Sequence, residues 1–152
     1  MIEFIAAKEL KEKFILKGRF YALETNTSII KCRSLLTIEN IRNITTNKKL
    51  LVIMLNPGSS RPVAKDYIER IVKIDKIGEI EKIPLTKIKP APTQYQIMRI
   101  VNKHEFSSAN IINLFDLRET KSKILFDKVK NGQIPDEISI FSNSRQKELE
   151  NY

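Results

Sequence analysis

The chain has one cysteine, Cys32, one histidine, His104, and no tryptophan among its 152 residues. A lone cysteine excludes an internal disulfide. A lone histidine excludes any site that needs two, and with one cysteine beside it no zinc cluster can assemble. No metal and no cofactor are expected. There is no G-x-x-x-x-G-K-[ST] phosphate loop and no G-x-G-x-x-G fingerprint. The G-x-S-x-G elbow is also missing, which argues against Ser59 or Ser60 acting as a nucleophile with His104 as base. Cys32 sits in an apolar stretch and reads as core, and His104 near a helix end reads as a surface residue. No run approaches the roughly 18 apolar residues of a membrane-spanning helix, so no membrane partner is expected. The opening "MIEFIAAKELKEKF" has acidic residues early and no basic start before an apolar core. It does not read as a secretory signal, and a cytoplasmic location is expected.

What is present is a soluble-type composition, 41% apolar and 30% charged, in a chain of about one domain's length. The charge is strongly basic: 27 Lys and Arg against 18 Asp and Glu give +9, with a pI near 9.7. Such a balance favours polyanions, and DNA or RNA contacted through Lys and Arg is the expected partner class. The alternative is codon bias, because a chain rich in Lys, Ile and Asn is also what an AT-rich genome produces.

The pattern along the chain predicts a single α/β domain over residues 1–152. Phe4, Ala7 and Leu10, spaced by three among charges, predict a short helix over 3–13. "RFYALE" and "SIIKCRSLLTIE" predict strands or a hairpin, and the polar run 43–49 a loop. "LLVIML" is continuously apolar and suits a strand covered on both faces, as in a parallel sheet. Residues 61–92 read as an irregular insert or flap. "PTQYQIMRIVNK" predicts a helix, with Thr93 and Gln96 in a capping-box spacing and Ile97, Met98 and Val101 on one face. "ANIINLFDLRE" predicts a second buried strand. "TKSKILFDKVKNG" predicts a helix capped by Thr120 or Ser122 and stopped at Gly132. Residues 142–152 predict a polar terminal helix that reads as the start of a connection to a further segment. The order implies a three-layer sandwich with a mostly parallel central sheet.

In an open parallel sheet, ligands bind beyond the carboxyl ends of the strands. Two strands here end in polar residues. One gives Asn56, Pro57, Gly58, Ser59 and Ser60; the other gives Asn113, Asp116, Arg118 and Glu119. Pro57 biases Asn56 towards extended backbone, and Gly58 leaves room for a ligand. Backbone N–H groups of Gly58 to Ser60 could converge on an anion. Asn56 offers a donor and an acceptor but is no strong base. The plain alternatives are an Asx-type turn for the first set and an Asp116–Arg118 ion pair for the second.

"LVIMLNPGSS", "PTQYQIMRIV" and "INLFDLRE" resemble, in that order, a bacterial family of unknown function with an M-L-N-P-S signature. The resemblance spans about residues 19–126. Met54 to Gly58 also resembles the G-I-N-P-G motif of a branch of the uracil-DNA glycosylases. That likeness implies a glycosylase-like fold, with Asn56 as the catalytic residue that positions the attacking water and with DNA as substrate. Met54 stands in place of the motif's first glycine. The later strand and terminal turn of both groups have no counterpart here, which implies a C-terminally incomplete fold. Three functions follow as expectations. One is a nucleic-acid-associated domain. Another is a small-molecule enzyme or binder with a nucleotide, nucleobase or other anion on Pro57, Gly58, Ser59, Ser60, Asn113, Asp116 and Arg118. The third is a non-catalytic interaction module.

Overall fold

The computed structural model describes residues 4–42 and 45–152. Residue 3 of the expected first helix, and residues 43 and 44 of the expected loop, lie outside that range. Helix α1 (Ala7–Lys13) leads into β1 (Phe14–Glu24), which turns back as β2 (Ile29–Asn40). The turn is tied by Thr25: its Oγ1 accepts from the Ser28 N–H, and its own N–H reaches the Ser28 carbonyl. The chain continues through β3 (Lys49–Met54), β4 (Arg61–Pro62), β5 (Arg70–Lys73), a 3-10 helix (Ile74–Lys82) and β6 (Thr86–Lys89). Then come α2 (Pro92–Lys103), β7 (Ser108–Asn113), α3 (Ser122–Lys130), two short 3-10 turns and α4 (Gln146–Glu150).

These strands form a seven-stranded mixed sheet in the order β3-β7-β2-β1-β6-β4, with β5 also on β1. Only β3–β7 and β1–β5 are parallel; β1–β2, β1–β6, β2–β7 and β4–β6 are antiparallel. This overturns the expected mostly parallel sheet. The long β1–β2 hairpin occupies the middle, and tight turns can only join antiparallel strands.

Strand β3 is likewise not central. It lies at the sheet edge, and its burial alternates, with Leu51 and Ile53 exposed and Leu50, Val52 and Met54 packed against the core. An unbroken apolar run fits a doubly covered strand, but at this edge the described residues cover only the face that carries Leu50, Val52 and Met54.

The core lies on two faces. On one, α1 and α2 bury Leu10, Ile97, Met98 and Val101 against Phe14, Leu16, Phe20, Leu36, Ile38 and Ile111. On the other, Tyr21, Leu23 and Cys32 meet Val72, Ile77, Ile80, Ile83, Leu125 and Ile138. Within the segment 61–92, β4, β5, the 3-10 helix and β6 alternate with irregular stretches, the longest being 63–69. Ile74, Ile77, Ile80 and Ile83 recur every third residue, the period of a 3-10 helix, and the last three are buried.

Helix ends follow local chemistry. Pro92 opens α2, and the Gln94 side chain accepts the Ala91 N–H at 2.6 Å. The capping residue is thus Gln94 rather than Gln96, because Pro92 takes the first helical position. Helix α3 has no side-chain cap from Thr120 or Ser122 and starts after Lys121. It ends as expected at Gly132, whose φ of 65° is open to glycine. The Gly132 and Gln133 N–H groups close onto Val129 and Lys128 carbonyls, a Schellman ending. The terminal segment packs into the protein: Arg145 and Glu148 are buried, and Leu149 and Tyr152 lie on the Leu35–Ile112–Ile140 cluster.

Candidate functional site: a basic cleft at the strand ends

Strands β3 and β7 run parallel in register, from Lys49 opposite Ser108 to Met54 opposite Asn113. Their polar carboxyl ends therefore leave the sheet together. Asn56 fastens the two. Its Nδ2 donates to the carbonyls of Leu117 at 3.2 Å and Glu119 at 2.5 Å, and to Pro57 at 3.2 Å. In this arrangement the side chain is a clasp between two loops.

Past the clasp, the turn opens on a cleft of about 620 Å³. Its lining comes from three groups of residues: Gly58, Ser59, Arg61 and Pro62; Ala64, Lys65, Tyr67 and Glu69; and Lys31 with Arg118 and Thr120. Nothing lies within 4 Å of where a Gly58 side chain would start, so the turn faces open space there. Four cations, Lys31, Arg61, Lys65 and Arg118, meet one carboxylate, Glu69. That carboxylate is already taken, because Glu69 pairs with Arg118. The Arg118 guanidinium also lies over the Phe20 ring, 5.0 Å from its centre, and Tyr67 meets the same ring edge-on at 6.1 Å. Stacking and pairing together hold Arg118 in one pose. Burial, and then Glu69, raise the Tyr67 hydroxyl above its ordinary pKa, so it remains a hydrogen-bond donor at neutral pH.

Beneath the turn lies a further cation. The β1–β2 ladder slips at Arg19/Phe20, so that Leu35 pairs Arg19 but Arg33 pairs Phe20. The extra residue, Ser34, makes a β-bulge that turns Arg33 to the Phe20 side of the sheet. Arg33 is only 1% exposed. One nitrogen donates to the Ser60 hydroxyl, while Nε and Nη2 have no hydrogen-bond partner among the described residues. Burial, and then the nearby Arg118, lower its pKa to about 10, with Asp116 opposing them. It still carries its charge at neutral pH, held under a turn that borders the cleft.

The expected site residues thus separate. Gly58, Ser59 and Arg118 line the cleft. Pro57 and Ser60 are buried behind it, with Ser60 joined to Arg33. Asn113 is buried under the strand end, its Nδ2 on the Arg33 carbonyl at 3.3 Å. Asp116 is fully buried on the opposite side of the sheet, bonded to the Tyr21 hydroxyl and to Arg145, each at 2.8 Å. Burial pushes its carboxyl up to about 7, although Arg145 pulls the other way. Arg145 itself also holds Glu148 at 2.9 Å, and these carboxylates keep its pKa raised despite burial. Cys32 is a buried thiol whose pKa burial raises, in keeping with its reading as core.

Sequence reasoning missed Lys31, Arg33, Arg61, Lys65, Tyr67 and Glu69. The one local signal was Arg33, a charged residue set just before the apolar run Leu35–Leu36. No family model matches the chain, and no curated protein or solved structure matches it.

Proposed function

We propose that this cleft binds the phosphate of a nucleotide or of a nucleic-acid backbone. The carrying observation is its charge: four cations line it, and the single carboxylate is occupied by one of them. Arg33 adds a buried charge with two free donors directly behind Ser60. An uncompensated buried cation is costly, and an anion in the cleft would offset that cost. Guanidinium forks suit phosphate oxygens, because two parallel N–H groups meet two oxygens. Gly58 and Ser59 line the same space, and backbone N–H groups of such a turn could add donors to a phosphate. The reading is one of binding; Asn56, engaged as a clasp, is given no catalytic part in it.

Thermal-shift measurements with inorganic phosphate, nucleoside monophosphates and free nucleobases test this. Phosphate-bearing compounds should raise the melting temperature in proportion to the logarithm of their concentration, and bare nucleobases should not. Stabilisation by nucleobases alone would overturn the reading in favour of base recognition.

A further inference from the structure

Resting on that reading, we infer that the ligand is a single-stranded nucleic acid, which runs from the cleft across the β4–β6 ribbon into a second cleft. This second cleft, of about 610 Å³, lies between α1, the start of β1, β6 and α2. Lys11, Lys87 and Lys89 line it with Tyr95, and its lining includes no carboxylate. The Lys11 ammonium stands 6.0 Å from the centre of the Tyr95 ring.

The ribbon joins the two clefts through backbone hydrogen bonds and through charge. Arg61 of the first cleft is directly opposite Lys89 of the second in the antiparallel β4–β6 pair. The Val63 N–H donates to the Lys87 carbonyl at 2.9 Å, extending the same ladder. On the other side of β6, Lys87 is directly opposite Lys17. Facing side chains in such pairs are about 5 Å apart, and like charges there are destabilising. Lys17 is relieved by Glu39 at 3.2 Å, whereas Arg61, Lys87 and Lys89 form no salt bridge among the described residues. Two like-charge pairs, one on each side of β6 and two residues apart along it, make sense as a phosphate track between two basic clefts.

Each cleft also carries a tyrosine, Tyr67 in the first and Tyr95 in the second. Cationic grooves interleaved with aromatic rings suit unpaired bases, which can turn out and stack. Duplex bases are already stacked inside the helix and present mainly phosphates.

The test uses fluorescence anisotropy with a labelled mixed-sequence single strand of about ten nucleotides. Wild-type protein is compared with the Lys11→Gln/Lys87→Gln variant, whose two positions are exposed and outside the first cleft. The variant should bind the strand at least tenfold more weakly. Its log–log salt slope should be shallower by about 1.4, for two lost phosphate contacts on a single strand. Its affinity for a nucleoside monophosphate should not change. Unchanged strand affinity and slope in the variant would overturn the track while leaving the first cleft standing. Equal or tighter binding of a duplex of the same length would overturn the single-strand assignment. Binding of neither strand nor monophosphate to wild-type protein would overturn both the track and the reading it rests on.

Discussion

Asp116 and Arg118 are two residues apart and belong to opposite faces of the sheet. Asp116 bonds the Tyr21 hydroxyl, and Arg118 stacks on the Phe20 ring. Phe20 and Tyr21 are consecutive in β1, so their side chains leave on opposite sides. The short segment 116–118 therefore serves two purposes. One end anchors the buried terminal segment through Arg145, and the other puts a fixed cation in the cleft.

The buried end gives a prediction about stability. Arg145→Met removes the cation shared by Asp116 and Glu148 and leaves two buried carboxyls without a counter-charge, although Asp116 keeps the Tyr21 hydroxyl. The cost should be about 3–5 kcal/mol, read from urea denaturation. Asp116→Asn together with Arg145→Met should cost less than the sum of the two single changes, because the two residues interact directly.

The same carboxyl sets a pH dependence. Burial raises the Asp116 pKa to about 7 in the folded protein, above its unfolded value near 4. The folded state then holds the extra proton between these values, so stability falls as pH rises through that window and levels off above it. Asp116→Asn should lose this slope. Denaturation midpoints measured from pH 4 to pH 8 check it, and an identical slope in the variant would contradict it.

Asn56→Ala should destabilise the fold by about 1–3 kcal/mol, since it removes the donor that joins two loop carbonyls to the end of β3. Asn56→Asp should be no better, because it keeps the shape but sets an anionic oxygen against those carbonyls. Both changes should be read by chemical denaturation before any functional assay.

Lys89→Glu should separate stability from binding. It replaces a like-charge pair with an attractive one opposite Arg61 and should stabilise by about 0.2–1 kcal/mol. It should also weaken the binding of phosphate-bearing ligands, because Arg61 would then be engaged. A gain in melting temperature with a loss of affinity is the expected signature of residues kept for binding.

The exposed edge of β3 carries Ile53, 56% exposed, beside Leu51. Ile53→Lys should change stability by less than about 0.5 kcal/mol. It should also reduce concentration-dependent self-association in light scattering, because a charge on a bare edge opposes strand addition.

Much of this fold can be read from the residues. The β-rich run "RFYALE" marks the second half of β1, the three-four spacing of Ile97, Met98 and Val101 marks α2, and Gly132 marks the end of α3. Other features depend on relations that no single stretch contains. "LLVIML" is equally apolar at an edge or in the centre; only its neighbours decide. The isoleucines from Ile74 to Ile83 do carry a three-residue period, which is easily passed over among charges and prolines. The bulge at Ser34 that aims Arg33 comes from pairing with Arg19 and Phe20. The cleft was half legible, since the N-P-G-S-S turn and Arg118 mark its rim. Lys31, Arg61 and Lys65 come from separate segments, and folding alone gathers them.

The most direct test of the central claim is calorimetric titration of a nucleoside monophosphate at low salt. It should be run on wild-type protein and on Arg61→Ala/Lys65→Ala, whose side chains line the cleft. Wild-type protein should bind with an affinity that falls as salt rises, and the variant should bind at least tenfold more weakly with a melting temperature no lower than that of wild type, since Arg61→Ala also relieves the like-charge pair with Lys89. No binding to wild-type protein at low salt, or equal affinity in the two, would contradict the account.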